Sequence, residues 1–83
     1  MKQTLKEILV NALVLEVDPA DIQDEAPLAD YGVDSFKLLE YLSALEENLD
    51  VHFPQSELTA ENLCCITSIE RLVNRLADTQ PGK

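Results

Sequence analysis

From Leu5 the apolar residues Leu5, Ile8, Leu9 and Ala12 recur at i, i+3, i+4 and i+7, the spacing that lines one face of an α-helix. The pattern predicts a first amphipathic helix, started by Thr4 or a neighbouring polar residue. It should fade around Glu16 to Val17, because Pro19 disfavours helical geometry at Asp18 before it. A second stripe runs through Leu38, Leu42, Leu45 and Leu49, flanked by Leu39 and Tyr41, and predicts a helix over residues 35–49. At 100° per residue, Phe36, Glu40, Ser43 and Glu47 fall on its other side. The run Val51-His52-Phe53-Pro54 closes that helix, and residues 56–62 hold a short third helical piece. Thr67 followed by Glu70 has capping-box spacing, which predicts the start of a final helix with Ile69, Leu72, Val73 and Leu76 inward. Arg71 and Arg75 lie toward the negative end of its dipole.

No segment alternates with period two, and no repeat is present, so the expected class is all-α. Three long helices and a short one make a four-helix bundle. The loop between the first two helices is long, but Ile22, Leu28, Tyr31 and Val33 recur among its acidic residues. They can pin it over the core as an ordered loop holding one short helical turn. A chain of 83 residues is one domain. We assign that domain residues 1–79 and expect residues 80–83 to form a disordered tail.

Composition narrows the partners. Sixteen acidic residues against six basic ones give a net charge of −10, a field that repels nucleic acid and anionic membrane surfaces. The same field steers encounters with basic patches on proteins. No apolar run approaches the ~18 residues of a membrane span. The amino-terminal stretch carries Glu7 inside its apolar pattern, which argues against a secretory signal and for a cytoplasmic location. Cys64 and Cys65 are adjacent, a spacing that suits neither a loop-closing disulfide nor a zinc site, so both are expected as reduced thiols, partly or wholly packed.

The candidate chemistry lies at Tyr31-Gly32-Val33-Asp34-Ser35-Phe36, where a glycine-containing loop meets the long helix. A helix start presents unpaired amides and the positive end of the dipole, so a serine there suits an attached anion. Helix capping by Asp34 or Ser35 is what these residue types usually do at such positions, and it is the simpler account of the motif taken alone. An enzyme reading would pair Ser35 with His52, the chain's single histidine. The motif lacks the second glycine of a nucleophile elbow, and the second helix separates the two residues by about 20 Å, so no catalytic residue is assigned. The acids between Asp18 and Asp34 do not repeat the alternating ligands of a calcium loop, and no metal site is assigned.

The order of elements and the motif Gly32-Val33-Asp34-Ser35, supported by Glu57-Leu58, Glu61-Asn62-Leu63 and Ile69, resemble the acyl and peptidyl carrier proteins of fatty acid, polyketide and nonribosomal peptide synthesis. The resemblance covers residues 3 to 77. It implies that a phosphopantetheinyl transferase attaches 4′-phosphopantetheine from coenzyme A to Ser35. In the same way it implies that Asp34 helps that transferase hold its metal ion, and that Gly32 keeps the approach uncluttered. The arm would carry acyl, aminoacyl or peptidyl cargo as a thioester, loaded and used by separate enzymes. The family's recognition surface maps onto Phe36, Leu39, Glu40, Ser43, Glu46 and Glu47. An acyl pocket would lie beside Leu38, Leu42 and the last helix.

Phe36, Lys37 and Ser43 depart from the pattern of fatty-acid carriers, which implies specialised biosynthesis. The start at Met1 close to the first helix suggests a discrete protein, with a domain of a larger synthase as the alternative, and the chain is expected to be monomeric. The alternative is a small acidic interaction module without a prosthetic group.

Overall fold

A computed structural model describes residues 1–78. Four α-helices form among them: α1 (Lys2–Leu13), α2 (Ser35–Leu49), α3 (Ala60–Leu63) and α4 (Ile66–Asp78). Three 3₁₀ turns join them, at Pro19–Asp21, Leu28–Tyr31 and Gln55–Glu57. The described residues contain no strand. The expected class therefore holds, with three long helices and one short, while the proposed tail at 80–83 lies outside the described residues.

Periodicity explains the packing. Leu5 and Leu9 of α1, Tyr41, Leu42 and Leu45 of α2, and Ile66, Ile69, Leu72, Val73 and Leu76 of α4 meet in one core. Each fully buried aliphatic side chain stabilises the fold by about 1.5–3 kcal/mol relative to exposure. Tyr41 is buried and its hydroxyl donates to the Leu5 carbonyl at 2.9 Å, joining α2 to α1 by the one polar atom a buried tyrosine must satisfy. Lys2 reaches Glu70 of α4 at 2.7 Å, and Lys6 reaches Asp24 at 2.6 Å. The Lys6 ammonium holds the Asp24 carboxyl below its usual range.

Two ends differ from expectation. Helix α1 stops at Leu13 rather than near Glu16, because Val14 turns into the left-handed region at φ 51° and its N–H closes onto the Val10 carbonyl. Helix α4 starts at Ile66, one residue before the expected cap. The capping box does not form. The Thr67 N–H donates to the Asp24 carbonyl at 3.0 Å and Glu70 pairs with Lys2, so both residues serve tertiary contacts instead.

The long loop is ordered by its apolar residues as expected, with two short turns in place of one. Ile22, Leu28 and Val33 are buried, and the Tyr31 hydroxyl accepts the Gln23 N–H at 2.9 Å. The Leu28 N–H donates to the Cys64 carbonyl at 2.9 Å. Together with the Thr67 to Asp24 bond, this fastens the loop to the junction between α3 and α4.

Candidate functional site

Asp34 starts α2. Its backbone is extended, and its carboxylate accepts the Lys37 N–H at 2.9 Å, satisfying one of the amides that every helix start leaves without an intrahelical partner. Ser35 is the first helical residue and is exposed. A fifteen-residue helix therefore points its positive end toward the region of the Ser35 hydroxyl. Of the two capping residues open in the sequence, Asp34 does the capping.

Gly32 ends the turn Leu28–Tyr31 at φ 82°, and its N–H donates to the Ala29 carbonyl at 3.0 Å. A Cβ added there would meet nothing within 4 Å. The space beside it is open, and the left-handed backbone that redirects the chain into Val33 and Asp34 is what favours glycine there.

Beside Ser35 lies a cleft of about 430 Å³. Pro27, Leu28 and Val33 line it from the loop, Ser35 and Leu38 from α2, and Leu58, Leu63 and Cys64 from the α3 side. The cleft therefore uses Leu38 as expected, but Leu42 is buried in the core and α4 takes no part in its wall. The 3₁₀ turn and short α3 replace the last helix because they stand opposite the start of α2. An exposed serine hydroxyl at a helix start, next to an apolar-walled cleft, fits a phosphodiester-linked flexible arm: the amides favour the anion and the cleft receives uncharged atoms.

Along α2, Phe36, Leu39, Glu40, Ser43 and Glu47 are exposed, with Phe36 at 80% and Leu39 at 56%. These five of the six expected recognition residues share the outward side of α2. Glu46 does not join them. It is half-buried, accepts the Phe53 N–H at 2.8 Å and lies 3.3 Å from the His52 imidazole, so it organises the chain after α2. Leu39, a flank of the apolar stripe, is exposed and stays outside the core. Sequence reasoning expected both thiols partly or wholly packed and missed Cys64 as a wall residue: it is exposed and lines the cleft, while Cys65 is buried. Residues 64 and 65 lie in the bend between α3 and α4, outside either helix, so no helical periodicity in the sequence separates the two.

The family model for the phosphopantetheine attachment site matches residues 3–76. The chain is 32% identical to an aminoacyl carrier protein of Agrobacterium fabrum over 94% of both chains. It is also 32% identical to an acyl carrier protein of Campylobacter concisus, over 89% of this chain and 92% of the relative. Among solved structures it resembles, at TM-score 0.79 and 32% identity, a chain from an engineered Bradyrhizobium japonicum glycine:[carrier protein] ligase in complex with a carrier protein from Agrobacterium tumefaciens and AMP. That match covers 89% of this chain and 99% of the other. With this helical architecture and these relatives, the chain belongs to the phosphopantetheine-attachment carrier proteins, which hold acyl or aminoacyl groups as thioesters on a 4′-phosphopantetheine arm and leave bond making to the enzymes they visit.

Proposed function

We propose that Ser35 is the attachment residue, that Asp34 and Gly32 set its presentation, and that the cargo is an aminoacyl or short acyl group loaded by a carrier-protein ligase. The observation that carries this reading is the exposed Ser35 at the first position of α2, against the cleft. The aminoacyl cargo is supported by the Agrobacterium fabrum relative, which matches over nearly its whole length, and by the neighbouring carrier structure solved with a glycine ligase. The helix start stabilises the arm's phosphate by about 0.3–1 kcal/mol while exposed.

Phe36, Leu39, Glu40, Ser43 and Glu47 form the docking face for the phosphopantetheinyl transferase, the ligase and downstream synthase enzymes. Phe36 and Leu39 supply the apolar contact, and Glu40 and Glu47 meet Arg and Lys on partners, which makes association transient and sensitive to salt. With Phe36, Lys37 and Ser43 at their positions, the carrier serves a dedicated route such as polyketide or nonribosomal peptide synthesis. It works as a monomer in the cytoplasm, where coenzyme A and ATP are supplied. No helix among the described residues is long and apolar enough to cross a membrane.

The test is intact-protein mass after incubation with coenzyme A, Mg²⁺ and a promiscuous phosphopantetheinyl transferase, beside Ser35→Ala. One phosphopantetheine added to the native chain and none to the variant is expected. Equal addition to both would remove Ser35 from the site. Incubating the holo form with a glycine:carrier-protein ligase, ATP and single amino acids then reads the cargo as a second mass increment. Loading only by fatty acyl enzymes would overturn the aminoacyl reading, and efficient turnover by housekeeping fatty acid synthase enzymes would overturn the dedicated route.

A further inference from the structure

Residues 64 and 65 form the bend between α3, which ends at Leu63, and α4, which begins at Ile66. Their side chains converge. The two Sγ atoms lie 3.6 Å apart, and the Ser68 hydroxyl sits 3.4 Å from the Cys64 sulfur and 3.5 Å from that of Cys65. Cys64 is exposed to solvent in the wall of the cleft that Ser35 also lines, and Cys65 is buried behind it. Burial pushes the Cys65 thiol up, but hydrogen bonds from Ser68, Cys64 and the Thr67 N–H outweigh it and leave it below the ordinary thiol value. An accessible thiol with a second, acidified thiol behind it is the arrangement that thiol–disulfide exchange uses.

The peptide joining the two cysteines also has a structural task. Its carbonyl, that of Cys64, receives the Leu28 N–H at 2.9 Å. Leu28 is buried, begins the 3₁₀ turn that Gly32 ends, and lines the cleft. The segment from this turn runs directly into Asp34 and Ser35.

We propose that Cys64 and Cys65 close into a reversible vicinal disulfide, and that closure releases the loop leading into Ser35. The oxidant is a low-molecular-weight disulfide such as glutathione disulfide. The Cys64 thiolate attacks one of its sulfurs, the glutathione S–S bond breaks, and one glutathione leaves as a thiolate that takes up the Cys64 proton. The Cys65 thiolate then attacks the Cys64 sulfur of this mixed disulfide, and the second glutathione leaves and takes up the Cys65 proton. The two cysteines together lose two electrons and glutathione disulfide gains them.

Closing the ring must draw the sulfurs from 3.6 Å to about 2.05 Å between residues whose Cα atoms are only about 3.8 Å apart, below the usual disulfide range. The difference is taken up by torsion about the Cys64–Cys65 peptide, which lies in a bend rather than inside a helix. That torsion swings the Cys64 carbonyl away from the Leu28 N–H. A disulfide strained in this way is oxidising and labile, so ordinary thiols reopen it. The oxidised carrier would present Ser35 on a loosened loop, and the reduced carrier on a fastened one.

The consequence for loading rests on Ser35 being the attachment residue, whereas the redox chemistry does not. The experiment therefore uses the full chain without phosphopantetheine, equilibrated in reduced and oxidised glutathione, acid-quenched and measured by intact mass. Loss of two hydrogens in a monomeric species is expected, reversed by dithiothreitol and absent in Cys64→Ser. A reaction that stops at one glutathione adduct, a disulfide-linked dimer, or no change would overturn the ring. Amide hydrogen exchange on the oxidised chain reads the second half. Leu28 should exchange at least about fivefold faster, the factor expected from losing one net backbone hydrogen bond. Unchanged Leu28 protection would overturn the coupling to the loop. Failure of either readout leaves the assignment of Ser35 standing, since that is decided by mass addition to the reduced protein.

Discussion

Val14 ends α1 at φ 51° and ψ 51°, a conformation that β-branched residues rarely adopt. Left-handed backbone costs an L-residue about 1–2 kcal/mol, because Cβ crowds the following carbonyl oxygen. Packing returns little of this, since Val14 is 83% exposed. Val14→Gly removes the crowding and keeps the hydrogen bonds that close the helix, from the Val14 and Leu15 N–H groups to the Val10 carbonyl. Against this stands the greater freedom of glycine in the unfolded chain, about 0.4–1 kcal/mol. The net expectation is stabilisation by about 0.5–1 kcal/mol, or a Tm higher by about 2–8 °C in a domain of this size. Urea unfolding followed by far-UV circular dichroism should show a higher midpoint with an unchanged slope. Val14→Ala keeps the strained backbone and should shift stability by less than about 0.5 kcal/mol. A Val14→Gly midpoint at or below that of the native protein would refute the reasoning, because it would mean that residue 14 is not held in the left-handed region.

Gly32→Ala should cost about 1–2 kcal/mol through its backbone alone, since the space for a methyl group is open, and Gly32→Asn should cost less; unfolding midpoints give both. Asp34→Ala should lose about 1 kcal/mol of cap stability. Asp34→Asn should keep the cap while slowing transferase loading, so thermal melts and loading rates on one pair of variants separate the two roles. Tyr41→Phe should cost about 1 kcal/mol by removing the bond to the Leu5 carbonyl. Burial raises the Tyr41 phenol above its ordinary value of 10.0, so its share of stability is intact below about pH 10 and is lost as pH rises toward the folded-state value. Urea midpoints measured from about pH 8 to 11 should therefore fall less in the Phe variant than in the native protein.

Helix α2 was legible to the residue because its signals are local: an acidic cap at Asp34, a leucine stripe, and a closing segment ending in Pro54. The end of α1 was not. Leu13, Leu15 and Val17 continue an apolar pattern, and the residue that breaks the helix is a valine rather than the glycine that usually marks such an end. The capping box at Thr67 and Glu70 failed for a different reason. Both residues had better partners, the Asp24 carbonyl and Lys2, that lie more than forty residues away in the chain.

The sequence by itself determined the helical class, the acidic field and the serine at a helix start, since periodicity, charge and capping chemistry are properties of a few neighbouring residues. Tertiary structure alone decided which segments meet. It turned Glu46 inward to the Phe53 N–H and left Phe36 and Leu39 outside. It built the cleft from the loop, α2 and α3, and separated Cys64 in its wall from Cys65 in the core. A side chain's environment is set by whichever distant element packs against it, and a local pattern carries no record of that partner.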